Sequence, residues 1–82
     1  MTAIIEKMAD DLARDAIEAA DAMGDEELVM DLGKMLASSS TTAEEAYLTA
    51  ARVRMALARA RKHLEDRIDA AASNIGSHEA GK

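Results

Sequence analysis

Cysteine is absent from this 82-residue chain, so it can form no disulfide, no thiolate nucleophile and no cysteine-ligated zinc or iron–sulfur site. Tryptophan and phenylalanine are absent as well, and Tyr47 is the only aromatic residue. A sheet core draws on aromatic and β-branched side chains. What remains here is Ala, Leu, Ile, Val and six Met, a palette suited to packed helices. There is no proline and there are only four glycines, so few positions can break a helix. No apolar run approaches the ~20 residues needed to cross a bilayer. The opening residues, Met1-Thr2-Ala3 through Asp10-Asp11, hold neither a basic leader nor a secretory apolar stretch. A cytoplasmic protein is expected, and the richness in Ala, Arg and Asp fits a bacterial or phage origin.

A chain of this length supports one domain with a thin core, burying only about 60–65% of the surface it exposes when unfolded. The net charge is −6, which argues against a general nucleic-acid binder, because phosphate contacts dominate that affinity. The charge is unevenly spread. Residues 1–45 carry twelve acids and three bases, whereas residues 46–82 carry four acids and seven bases. One end of the chain therefore attracts the other, or a partner's.

Hydrophobic periodicity predicts three helices and an all-α fold. The first runs from about Thr2 to Met23, with Ile5, Met8, Leu12, Ala16, Ala19 and Met23 on one arc, widened by Ala9, Ala13, Ile17 and Ala20. Gly24 supplies a left-handed stop, and Asp25-Glu26-Glu27 places an N-cap and first-turn acids before a second helix, Glu26 to Ala37. Its expected apolar face is Leu28, Leu32, Met35 and Leu36, with Val29 at the margin. Gly33 costs this helix about 1 kcal/mol relative to Ala and so points to a close helix crossing. Thr41-x-x-Glu44 and Thr42-x-x-Glu45 read as overlapping capping boxes for a long third helix. That helix is expected to reach Asn74 and stop at Gly76, making residues 1–76 one helical domain and 77–82 a disordered tail.

The third helix carries two apolar stripes. Ala46, Ala50, Val53, Leu57, Ala60, Leu64, Ile68 and Ala71 follow a near-heptad spacing along its whole length. Leu48, Ala51, Met55 and Ala58 lie roughly 160° away, and this second stripe turns polar at Lys62, Glu65 and Asp69. The two shorter helices cannot easily cover both stripes, so Leu48, Ala51, Met55 and Ala58 are expected at a dimer or partner contact. The predicted architecture is a helical bundle completed by homodimerisation, with the two long helices and the two first helices at its centre.

Nothing in the sequence assembles into a reaction centre. His63 reads as a surface histidine, and His78 beside Glu79 lacks the further ligands that a metal would need. The carboxylates Asp21, Asp25, Glu26, Glu27 and Asp31 lack the spacing of a calcium loop. The chain has the length and acidity of an acyl carrier protein, but the Asp-Ser-Leu attachment site is missing. His63 is followed by Leu64-Glu65, where a histidine phosphotransfer domain needs lysine and glycine. No enzyme activity, cofactor or metal is expected. Most of the methionines read as core filler, and only Met30 reads as an exposed contact. The expected function is that of a small acidic regulatory or adaptor protein acting on an unidentified protein partner. The alternative is a nucleic-acid-binding helical dimer using the basic flanks Arg52, Arg54, Arg59, Arg61 and Lys62.

Overall fold

The computed structural model describes the backbone from Thr2 to Ala80 and the side chains from Ala3 to Asn74. Within these bounds the chain forms three helices, α1 (Thr2–Met23), α2 (Leu28–Ala37) and α3 (Thr41–Ala80). Among the described residues no helix is long and apolar enough to cross a membrane.

The turns follow from local chemistry. Gly24 takes φ +67°, and the Asp25 N–H reaches back to the Ala20 carbonyl at 3.0 Å, a Schellman closure of α1. The Asp25 carboxylate accepts the Glu27 N–H at 3.1 Å, so Glu26 and Glu27 form a turn and α2 begins at Leu28, two residues later than predicted. At the start of α3 the cap is Ser40, not Thr41 or Thr42. Its Oγ accepts the Ala43 N–H at 3.1 Å and its carbonyl accepts the Glu44 N–H at 3.0 Å. The serine run stands one residue nearer to the orphan amides, so the two threonines become the first helical residues.

The helices run up, down and up. Ile5 shares a groove with Ala46 near the start of α3, Asp10 bonds Arg54, and Ala20 shares a groove with Ala58 further on, so α1 and α3 run in the same direction. Leu36, at the end of α2, returns to Ile5 and Ala43 at the starting end. The long helix is continuous and passes through Gly76 to Ala80. Among the described residues only Gly24 has positive φ, so Gly76 serves as an ordinary helical residue and not as a stop. Of the tail expected at 77–82, Gly81 and Lys82 lie outside the described residues.

The core is small and rests on α1 differently from the sequence expectation. Ala9, Ala13 and Ala16 are buried together with Val29, Tyr47 and Ala51, and among the described residues Tyr47 is the only large side chain fully enclosed. Met8, Leu12 and Met23, expected on the core arc of α1, are exposed. The helix has turned its alanine edge inward, because small side chains let two helices approach at the short end of the usual 8–10 Å range. The second helix has rotated in the same sense: Val29 and Gly33 are its buried residues and Met35 is exposed. A Cβ on Gly33 would stand 3.1 Å from Leu48 Cδ2 and 3.7 Å from Tyr47 Cε2, which identifies the close crossing the sequence predicts. At that crossing the Tyr47 hydroxyl donates to the Val29 carbonyl at 2.7 Å, so the one buried phenol is fully satisfied.

Candidate interaction surface

The molecule measures 65 × 28 × 13 Å and has a radius of gyration of 18.5 Å, against about 12 Å for a compact domain of this length. Its accessible surface is 6349 Å², where a compact monomer of 8.7 kDa would show about 4,700 Å². Much of the excess is apolar. Ile4, Met8, Leu12, Met23, Met30, Met35, Val53, Leu57, Leu64 and Ile68 all stand exposed. Scattered apolar residues on a surface are normal, but contiguous ones mark a binding face.

Here six of them fall on two faces. The first lies between α1 and α2, where Ile5, Met8, Ala9, Leu12, Leu36 and Ala43 line a groove of about 370 Å³ with almost no polar wall. The sequence expectation that methionine fills the core does not hold. Of the five methionines with described side chains, Met8, Met23, Met30 and Met35 are exposed, and only Met55 is half-buried. The second face is the long stripe of α3. At its starting end Ala46, Ala50 and Val53, with Ile5 of α1, floor a groove of about 480 Å³ rimmed by Glu6, Asp10 and Glu45. Beyond Met55 the stripe runs on as Leu57, Leu64 and Ile68, each at least half exposed, and every side chain from Ala56 to Asn74 is exposed.

The residues predicted at a partner contact fall mostly inside the chain. Ala51 is 1% exposed, Leu48 packs over Gly33, and Met55 is half-buried against the core. Only Ala58 is open, on the rim of a groove shared with Ile17, Ala20 and the exposed Met30. Helices α1 and α2 both gather on the Leu48/Ala51 side of α3, because Tyr47 and the small residues Gly33 and Ala13 let all three helices converge there. The heptad-like stripe is thereby left half-covered at Ala46 and Ala50 and open from Val53 onward. Its one sequence clue was the pair of small-residue ladders, Ala9/Ala13/Ala16/Ala20 on α1 and Gly33 on α2, which fit a close crossing better than large residues do.

Set against protein-family models, curated proteins and solved structures, the chain finds no match. The surface chemistry therefore rests on the geometry alone.

The predicted basic stripe does not act as a unit. Arg54 forms a bidentate pair with Asp10, Nε to Oδ1 at 2.7 Å and Nη2 to Oδ2 at 2.8 Å, and so ties α3 to α1. The hydrogen bond from Arg54 holds the Asp10 carboxyl below its usual range against an opposing desolvation, with further help from the charges of Arg54, Arg14 and Lys7. The same bond raises the Arg54 guanidinium. Lys62 is engaged with Asp66 at 3.3 Å. Arg52, Arg59 and Arg61 stand exposed on opposite flanks of α3. His63 is exposed too, the side chain of His78 lies outside the described set, and among the described residues no three His, Asp or Glu side chains converge to hold a metal. Burial pushes the Tyr47 phenol above its ordinary value, but the group is enclosed and bonded and faces no open pocket.

Proposed function

We propose that this chain is a small acidic regulatory or adaptor protein that works by protein–protein contact, as a homodimer, and without catalysis. The observation that carries this reading is the inversion of its apolar inventory: among the described residues ten large apolar side chains are exposed, while only one large side chain is fully buried. A chain that leaves so much apolar surface open lowers its free energy when a partner covers that surface. The two faces suit two roles, with the α3 stripe for a second copy and the α1/α2 groove for a different protein.

The groove's chemistry limits what it would accept. Its walls are Met8, Leu12, Leu36 and Ile5 over the small Ala9 and Ala43, and the flexible methionine lets it adapt to differently shaped apolar ligands. The elements that build it belong to the half of the chain with twelve acids and three bases. A partner presenting an amphipathic helix with basic edges would meet both features. The test is capture from the native lysate by the unmodified chain and by a Met8→Lys/Leu12→Lys variant, whose changes fall on exposed positions. A species held by the first and lost by the second supports the reading. Equal retention by both, or none by either, rejects the groove as the binding face.

A nucleic-acid-binding role remains the alternative, with Arg52, Arg59 and Arg61 as the free bases of α3. The withdrawal of Arg54 into its pair with Asp10 weighs against it. Titration with RNA and with duplex DNA at low salt tests it directly, and a shift at micromolar protein would favour it over the adaptor reading.

A further inference from the structure

The open stripe of α3 is not uniform. Its first half is small and acid-rimmed: Ala46 and Ala50 floor the groove beside Ile5, with Glu6, Asp10 and Glu45 along the edge. Its second half is large and base-flanked. Leu57, Leu64 and Ile68 are 64%, 50% and 57% exposed, and at 100° per residue Arg61 and Arg67 lie to either side of them, with Glu65 the one acid beside the stripe, outside Arg61. Small faces large, and acid faces base, only when one helix is reversed against another.

We infer that two copies of this chain pair through α3 in an antiparallel, two-fold arrangement. Each copy's Leu64 and Ile68 fill the groove over the other's Ala50 and Ala46, and Leu57 meets its counterpart at the axis. This inference rests on the homodimer reading above and adds its direction and register.

Three observations select a second copy as the occupant. The reversed register brings Leu64 and Ile68 over the small Ala50 and Ala46, with only Leu57 meeting its own kind at the axis, and this is the complementarity a closely packed interface needs. It also runs Arg61 and Arg67 of one copy along Glu6 and Glu45 of the other's rim, where Asp10 is already paired with its own Arg54. A parallel pairing would instead stack base on base at one end and acid on acid at the other. Finally, the surface in excess of a compact monomer is of the order of 1,600 Å² per chain, about twice the ~800 Å² per partner of a stable interface. The part of α3 that overhangs the three-helix body then lies against the body of the partner. The groove is incomplete without the other chain's side chains.

The natural absence of cysteine makes the test direct. Single-cysteine variants Ala46→Cys and Ile68→Cys would be prepared separately and mixed, then oxidised gently after the solution mass is measured by light scattering. The expected result is a mass near twice 8.7 kDa and a disulfide that forms in the mixture but in neither variant alone. A dimeric mass with Ala46→Cys or Ile68→Cys linking to itself, or with no link in the mixture, would overturn the antiparallel register and leave the homodimer standing. A monomeric mass at tens of micromolar would overturn both. Leu64→Glu gives an independent check. Its side chain is already exposed in the single chain, so helicity should persist while the dimer dissociation constant rises by at least about 100-fold. An unchanged constant would place the interface elsewhere.

Discussion

Between Thr41 and Met55, α3 is held on two sides. Tyr47 and Ala51 are buried, Leu48 closes over Gly33, and Arg54 is fixed to Asp10. From Ala56 to Asn74 the same helix continues with a similar share of Ala, Leu and Arg, yet every side chain is exposed. Helix formation and helix burial are thus separate matters in this chain. Alanine, leucine, arginine and glutamate favour a helix wherever they stand, and pairs such as Lys62–Asp66 add a few tenths of a kcal/mol. Most helical stability in proteins comes from tertiary packing, so the second half owes its order to continuity with the first and to whatever covers Leu57, Leu64 and Ile68.

The sharpest way to break the comparison is to remove the anchor from the first half. Tyr47→Ala should cost about 3–5 kcal/mol, enough to unfold so small a domain, as followed by thermal melting in circular dichroism. The matching truncation in the second half, Leu64→Ala, should leave the melt of the dilute single chain nearly unchanged. Equal losses would show that the two halves share one core.

Overpacking the crossing comes next. Gly33→Val drives a branched side chain into Leu48 and Tyr47 and should cost about 1–3 kcal/mol. Gly33→Ala gains about 1 kcal/mol of helix propensity, which offsets the small yielding of the Leu48 tip, so its midpoint in urea should hardly move.

A smaller effect separates the buried phenol from the rest. Tyr47→Phe removes its bond to the Val29 carbonyl and should cost about 1 kcal/mol. Burial raises the folded phenol above its unfolded value of about 10, so the folded state keeps its proton longer. Stability is then intact below about pH 10 and falls as pH climbs through the folded value, and this alkaline loss should vanish in the phenylalanine variant.

The smallest expected effect is that of Asp10→Asn, a slight drop in melting temperature. The partners are substantially solvated, with side chains 47% and 34% exposed, which weakens the pair. Because the Asp10 carboxyl is depressed in the folded state, its contribution is present above the unfolded carboxylate value and is lost as pH falls through the folded one. The variant should match the parent at low pH and trail it near neutrality. A gap that persists in acid would assign the pair a packing role instead.

Much of the architecture was legible before any coordinates. The span of α1, the left-handed Gly24, the close crossing at Gly33 and a long, unbroken third helix all follow from local rules: periodicity, φ preference, and the absence of proline. The start of α3 was misread by one residue, because Ser40, Thr41 and Thr42 offer the same hydroxyl and only the backbone path decides which one reaches the free amides. The inward turn of Leu48, Ala51 and Met55 escaped the sequence for a related reason. Two apolar stripes on one helix compete for the same two covering helices, and a hydrophobic pattern says that a face is apolar without saying which neighbour reaches it first.

Sequence alone determined that this chain is helical, that it carries more apolar helix face than its short helices can cover, and that its charge is polarised along its length. These are properties of spacing and composition, read one segment at a time. Only the tertiary structure decided which stripe is enclosed. That choice depends on how closely three helices can approach, and the alanine edge of α1 and the bare backbone at Gly33 let them converge around Tyr47, leaving the larger side chains of α3 facing outward.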